Sequence, residues 1–247
     1  MRITVVGCGD AFGSGGRANT CFWVESGTAT VAVDFGATSL VALKRLGLDP
    51  NRIDAVLISH LHGDHFGALP FLLLDAQFDS RRETPLTIVG PVGLAERLRA
   101  AQEVFFPGSS KNEWRFPLHV VDLPCGTPHR VAGLDLTTFE VVHPSGAPAT
   151  AVRLTDADRT LTYSGDTSWT DRLIEAADGA DLFIVECYRL SDAPANHLDV
   201  DTIDAKRSSL RVPRLLFTHM SAEVLASVPA IQAKGYEVAH DGLILDV

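Results

Sequence analysis

Little in this chain would serve a disulfide scaffold, a membrane span or a polyanion-binding surface. Its four cysteines, Cys8, Cys21, Cys125 and Cys187, show no close-paired spacing. That spacing argues against structural disulfides and against a separate cysteine zinc site, so the thiols are expected to be reduced. The longest apolar stretches, such as Phe66 to Leu74, are far too short to cross a bilayer. Met1-Arg2 leads straight into Ile3-Thr4-Val5-Val6 with no signal region or cleavage site, which reads as a cytoplasmic protein with no membrane partner. No Pro/Ser-rich linker, low-complexity tract or fixed-period repeat divides the chain. Positive charge is scarce as well. Lys and Arg number 21 against 31 Asp and Glu, for a net charge of -10 and a sequence pI near 5.3. Such a balance repels nucleic acid unless a local basic patch compensates. The basic groupings, Arg81-Arg82 and the scatter Lys206, Arg207, Arg211 and Arg214, read as solvated helix faces. What is left is a chain of 247 residues, 46% hydrophobic and 21% charged. It is long enough to bury a sizeable core and is expected to form a single α/β domain over residues 1–247.

Metal-capable side chains, by contrast, are concentrated. His60-Leu61-His62-Gly63-Asp64-His65 follows the apolar run Ala55-Val56-Leu57-Ile58, a short buried strand by its pattern. The cluster therefore sits on the loop leaving a strand. Without a metal, three imidazoles and a carboxylate make a poor turn and repel one another whenever protonated. Imidazole and carboxylate are the ligands that zinc and its neighbours prefer. In an extended loop His60 and His62 point the same way and share one ion, while Asp64 and His65 turn to a second. This pattern reads as a two-metal hydrolytic site.

Three more candidates follow strand-like runs. His143 comes after Leu134 to Val142, Asp166 after Arg159 to Tyr163, and His219 after Leu215-Leu216-Phe217-Thr218. Singly, an Asp after Gly is a turn residue and a His after a strand is a core or surface residue. Together, at strand ends where loops gather, they complete two ion sites. Further strands are expected at Ile3-Val6, Cys21-Glu25 and Thr30-Asp34, at Phe116-Val121 and at Asp181-Glu186 and Arg214-Phe217. Helices are expected over Thr38 to Leu46, Phe66 to Phe78 (bent or started by Pro70) and Val92 to Val104 (opened by Pro91). Three more should follow at Thr170-Ala177, Asp199-Leu210 and Ala222-Ala233. Mixed strands first and alternation later suit two packed sheets with helices outside.

The chain resembles the metallo-β-lactamase superfamily, and within it the tRNase Z branch. The resemblance is carried by Val6-Gly7-Cys8-Gly9-Asp10-Ala11, Val33-Asp34-Phe35-Gly36, the His60 motif, Tyr163-Ser164-Gly165-Asp166-Thr167 and Phe217-Thr218-His219-Met220-Ser221. It implies a four-layer αββα sandwich with the metals at one edge of the paired sheets. It also implies that His60, His62 and His143 hold one metal, that Asp64, His65 and His219 hold the other, and that Asp166 bridges them. Two such ions share a water and make hydroxide available at neutral pH. Zinc is the default, with manganese, iron or nickel accepted by the same ligands. A homodimer rests on the resemblance alone.

Glu186 ends the run Asp181-Leu182-Phe183-Ile184-Val185, and His197 precedes the Asp199 helix. The pair resembles the tRNase Z segment in which a glutamate orients a histidine that protonates the leaving oxygen. Asp64, His197 and Glu186 are thus the catalytic candidates. The other reading leaves His197 exposed and pairs Glu186 with Arg189. The resembling family also has a long tRNA-gripping arm between the counterparts of His143 and Asp166. Here that interval holds only two short strands and a turn at Asp156-Ala157-Asp158, and the Arg-Tyr expected after His219 is replaced by Met220-Ser221. A small phosphodiester is therefore the expected substrate, such as a cyclic nucleotide, a nucleotide-derived diester or a phosphonate-pathway intermediate. The alternatives are a sulfate ester, lactone or thioester, or tRNase Z-like RNA 3′ processing. A diiron oxidoreductase is disfavoured by His62, and a degenerate binding scaffold by the complete ligand set. Asp34 either supports a ligating histidine or caps the turn before the Thr38 helix. His119, His129 and His240 lack companion ligands, and Trp169 and Tyr188 either line the pocket or pack.

Overall fold

The computed structural model describes residues 1–157 and 159–247. Among them two seven-stranded sheets face each other. The first holds β1 (Arg2–Gly7), β2 (Cys21–Glu25), β3 (Thr30–Val33), β4 (Ala55–Leu57), β5 (Leu86–Pro91) and β6 (Leu118–Leu123) in that order. The second runs from β7 (His129–Val131) through β8 (Leu134–Val141), β9 (Ala149–Asp156), β10 (Arg159–Tyr163), β11 (Leu182–Glu186) and β12 (Leu215–Thr218) to β13 (Glu237–Val238). The last strand, β14 (Ile244–Asp246), closes the first sheet beside β1. Against the first sheet lie α1 (Ser39–Arg45), α2 (Gly63–Phe66), α3 (Leu69–Leu74) and α4 (Leu94–Phe105). Against the second lie α5 (Arg172–Ala177), α6 (Val200–Lys206), α7 (Ala222–Ala226) and α8 (Val228–Ala233).

Strand alternation explains the layering. Phe22 and Val24 join Leu154, Leu161 and Ile184 in the core between the sheets, whereas Cys21 and Trp23 face Leu43, Leu69 and Leu98 of the outer helices. On the other outer face Phe183, Val185 and Phe217 meet Leu173, Ile203 and Ile231. Both faces of both sheets are buried, and the result is the four-layer αββα sandwich. No helix among the described residues is long and apolar enough to cross a membrane.

Several expected boundaries shift for local reasons. The helix expected over Phe66 to Phe78 starts earlier, at Gly63, and restarts at Leu69 with Pro70 inside its first turn. The break arises because Ala68 N–H donates to the carbonyl of Phe35, in another segment. Pro91 ends β5 rather than opening a helix, and Gly93, at a φ of 99°, turns the chain into α4. The strands β5, β7, β13 and β14 carry no counterpart in the sequence reading. The helix expected over Ala222–Ala233 divides at Ser227, where Pro229 falls in the first turn of α8. Of the expected turn at Asp156-Ala157-Asp158, Asp158 lies outside the described residues. The interval between His143 and Asp166 is occupied by β9 and β10, which pair antiparallel from Arg159↔Asp156 to Tyr163↔Val152.

Candidate metal centre

The strands β3, β4, β5 and β6 are parallel neighbours, as are β10, β11, β12 and β13. Two antiparallel steps relate β8 to β10, and two relate β1 to β3, so these run the same way too. The carboxyl ends of all these strands therefore gather at common edges, which is where open α/β sheets place their ligands. His60 follows β4, His143 follows β8, Asp166 follows β10, Glu186 ends β11 and His219 follows β12.

The side chains collect into groups. His60, His62 and His143 each offer a nitrogen within 4.8 Å of the others, and so do the ligand atoms of Asp64, His65, Asp166 and His219. His62 is extended, at φ -82° and ψ 151°, and starts the single turn of α2 that carries Asp64 and His65. Asp166 lies between the groups. Its Oδ2 is 3.2 Å from His219 Nε2, 3.3 Å from His65 Nε2 and 4.0 Å from His60 Nε2. Gly165 permits this approach because its φ is 61° and a Cβ there would meet the Thr150 carbonyl at 2.7 Å.

Hydrogen bonds behind the site fix which nitrogens face it. Ser59 Oγ donates to Asp34 Oδ2 at 2.7 Å, so its contact with His60 Nδ1 at 3.1 Å makes the imidazole the donor. His60 Nε2 is left as a lone pair. His143 Nδ1 donates to the Asn196 carbonyl at 2.8 Å, and its Nε2 lies 3.0 Å from His62 Nδ1. His65 Nδ1 donates to Asp34 Oδ2 at 2.7 Å. Asp34 thus supports a histidine rather than capping the turn before α1. Deeply buried His60 Nε2, His65 Nε2 and Asp166 Oδ1 have no hydrogen-bond partner. Orphaned polar atoms of this kind are costly unless something meets them, and a nitrogen-and-oxygen donor set aimed at a common point fits a divalent metal.

The electrostatics agree with that fit. Burial holds His60 well below the ordinary histidine range. Burial opposes charge on Asp64 and Asp166, but His219 and His65 hold both carboxyls far below the usual range. Burial likewise opposes charge on His65 and His219. Asp166 with Asp34 nevertheless keeps His65 high, and Asp166 with Asp64 lifts His219 to about 9. The carboxylates thus demand positive charge. Protons on these imidazoles meet that demand, and a metal meets it while releasing them.

Glu186 is fully buried. Its Oε1 accepts the Thr167 N–H at 2.5 Å, and both its oxygens lie 3.1 Å from His197 Nδ1. Arg189 pairs instead with Glu223 at 3.6 Å. Burial opposes charge on His197, but the Glu186 carboxylate outweighs it and raises the imidazole pKa. His197 stacks on His219 with ring centroids 5.6 Å apart and touches Tyr188 at 4.9 Å. It also offers a nitrogen within 4.8 Å of the ligand atoms of His143 and Asp166.

A pocket of about 250 Å³ opens over these groups, lined by Asp64, Asp166, His197 and His219 together with Phe12 and Tyr188. Trp169 packs beneath Lys206 instead. Phe12 was not legible as a pocket residue, and the one signal was a bulky apolar side chain inside a glycine-rich turn. His119 and His240 are exposed and His129 is half-buried, and the three belong to none of the groups. Arg82 corrects the expectation of a solvated basic face. It is buried and donates to the carbonyls of Thr84, Pro50, Asn51, Ile53 and Pro85.

Residues 1–211 match the family described as anti-Pycsar protein Apyc1. An uncharacterised Mycobacterium leprae protein, ML1173, is 32% identical over 226 residues, covering 89% of this chain and 78% of its own. The probable metallo-hydrolase YhfI of Bacillus subtilis is 29% identical over 229 residues, 89% of this chain and 87% of its own. The YhfI crystal structure is similar at a TM-score of 0.79, with 24% identity over 99% of both chains. Human tRNase Z, short form, has a TM-score of 0.78 at 23% identity, covering 100% of this chain and 99% of that one. The chain belongs to the Apyc1 family, among the hydrolases of metallo-β-lactamase fold.

Proposed function

We propose that this protein hydrolyses small phosphodiesters with two divalent metal ions, zinc by default. His60, His62 and His143 would hold one, Asp64, His65 and His219 the other, and Asp166 both. Bound there, the ions would supply Lewis acidity that offsets charge on phosphoryl oxygens and lowers the pKa of water, so that hydroxide is available at neutral pH. His197 acts as general acid. Glu186 holds its Nδ1, which leaves Nε2 to give a proton to the departing alkoxide. The observation that carries this reading is the Glu186–His197 pair at 3.1 Å beside the clustered ligands. A thioester, whose thiolate leaves with a far lower pKa than an alkoxide (about 8.5 for a thiol), has less need of that proton.

Pocket size favours a small substrate. At about 250 Å³ the space is below the usual span for drug-sized ligands. The acidic net charge of -10 disfavours a polynucleotide, which argues against RNA 3′ processing. The anti-Pycsar role in the family's name is proposed for this chain too, with that hydrolysis as its chemistry. A cytoplasmic setting is part of the same reading. The test is steady-state hydrolysis of bis-p-nitrophenyl phosphate beside matched sulfate, lactone and thioester probes, using metal-reconstituted protein. Preference for the phosphodiester is expected. Preference for a carbonyl or sulfate ester would overturn the substrate class. Replacing His197 by Ala should slow diesters with poor leaving groups by about 10²–10⁴-fold and spare the nitrophenyl ester. Equal losses on both would remove His197 from the acid role.

A further inference from the structure

Each of the two proposed ions draws ligands from both sheets. His60, His62, Asp64 and His65 follow β4 of the first sheet, whereas His143, Asp166 and His219 follow β8, β10 and β12 of the second. The separation of the sheets at this edge is therefore a dimension of the site. Deeper in, the sheets meet through apolar side chains such as Leu57, Val89, Leu136 and Val152. Apolar burial is non-directional and does little to fix how one sheet sits on the other. A hydrogen bond between the sheets does fix it, because it demands both a distance and an angle.

Thr150, the second residue of β9, makes such a bond beside the ligands, and it is buried. Its hydroxyl donates to the Ser59 carbonyl at 2.9 Å, and its N–H donates to the same oxygen at 3.0 Å. Ser59 immediately precedes His60, and its own N–H and hydroxyl are held by Asp34. The Thr150 carbonyl abuts Gly165, which precedes Asp166. A Cβ on Gly165 would stand 2.7 Å from that carbonyl and 3.4 Å from the Ser59 side chain. One residue thus touches the neighbours of a ligand from each sheet. Another tie across this edge, from the His219 N–H to the Cys8 carbonyl at 3.0 Å, joins backbone alone. We propose that Thr150 is a positioning residue, whose hydroxyl sets the separation of the two half-sites so that His60 and Asp166 reach the same ions. This rests on the two-ion reading of the site.

The test compares wild type with Thr150→Val, which keeps the branched shape and loses the hydroxyl, and with Thr150→Ser, which keeps the hydroxyl. Zinc affinity is measured by chelator competition on protein shown to be folded by near-ultraviolet circular dichroism. Cobalt(II), added as a spectroscopic probe, is followed by visible absorption and by the magnetic coupling between the two ions in electron paramagnetic resonance. Thr150→Val should weaken zinc binding by about 10-fold or more, the lower end of the usual span for residues that support metal ligands. It should also alter the cobalt absorption and the coupling, and Thr150→Ser should restore all three. Should Thr150→Val fail to fold, Thr150→Ala removes the same hydroxyl and carries the same expectation. A Thr150 that serves stability alone would lower the melting temperature of metal-free protein and leave affinity and spectra as in wild type. That result would overturn the positioning role alone, as would a Thr150→Ser variant no better than Thr150→Val. Wild-type protein that binds fewer than two ions would overturn the two-ion reading and the positioning role with it.

Discussion

Replacing Asp34 by Asn asks how far the metal centre is held from behind. Asp34 is fully buried at a φ of 58°. Asn tolerates this left-handed conformation as well as Asp does, so the change isolates charge from backbone. The carboxylate accepts the Ser59 N–H on Oδ1, and the Ser59 hydroxyl and His65 Nδ1 on Oδ2, each at 2.7 Å. An amide has one accepting end. Kept toward His65, it turns its NH₂ against the Ser59 N–H; flipped, it loses His65. Either way at least one hydrogen bond to a charged group disappears, a loss of about 1.5–3 kcal/mol. Read as metal affinity at about 1.4 kcal/mol per tenfold, that is roughly 10- to 100-fold. The same span is typical when the partner of a ligating imidazole is removed. Zinc affinity should be measured by chelator competition on protein shown to be folded by near-ultraviolet circular dichroism. Affinity within about threefold of wild type would refute the idea that Asp34 sets the orientation and basicity of His65.

Replacing Asp166 or His62 by Ala should abolish turnover while leaving the fold intact, because both side chains face the pocket rather than the core. Near wild-type rates would end the two-metal mechanism. Arg82→Met should destabilise the protein by about 3 kcal/mol, since buried carbonyls lose a charged donor, and an unchanged melting temperature would return Arg82 to the surface. Asp199 begins α6 by accepting the Thr202 N–H at 2.7 Å and also holds Ala193 N–H at 3.0 Å, across the loop that carries His197. Burial opposes its charge, but these N–H groups outweigh it and depress the pKa. A depressed carboxyl contributes stability above its unfolded pKa of about 3.9 and loses it as pH falls through the folded value. Asp199→Ala should therefore cost about 1 kcal/mol at pH 7, with the gap to wild type closing below about pH 4 in denaturant titrations. A gap independent of pH would show that the cap acts without its charge.

The metal-capable cluster was legible because it is local. His60 to His65 lie within one loop and one helical turn, where spacing alone puts ligands side by side. The layered order was legible from runs such as Cys21–Glu25 and Arg159–Tyr163, whose bounds coincide with β2 and β10. The misses are tertiary. In β5, Ile88 faces the outer helices and Val89 faces the opposite sheet, so both faces are apolar and the strand shows no alternation. Arg82 looked like half of a basic pair because its carbonyl partners at Pro50, Asn51 and Ile53 lie about thirty residues away. Asp34 stayed undecided for the same reason, as its partner His65 is 31 residues away.

The backbone shows where chemistry overrides regular structure. Asp34 and His219 both follow buried strands, and both take positive φ, 58° and 55°. For residues other than glycine that costs about 1 kcal/mol or more, and it persists only where the surroundings over-determine it. Three hydrogen bonds do so for Asp34. For His219 the constraint is its N–H on the Cys8 carbonyl at 3.0 Å, with Nε2 drawn between Asp64 and Asp166. His62 needs no such turn, because its loop already lies at the edge and it stays extended. At these two positions a side chain leaving a central strand turns toward the shared edge. The mouth of the pocket is built differently, from the Asp10–Gly16 turn and the loop ahead of α6. The metal-capable side chains thus stand at the shared edge of the sheets, and two loops frame the mouth above them.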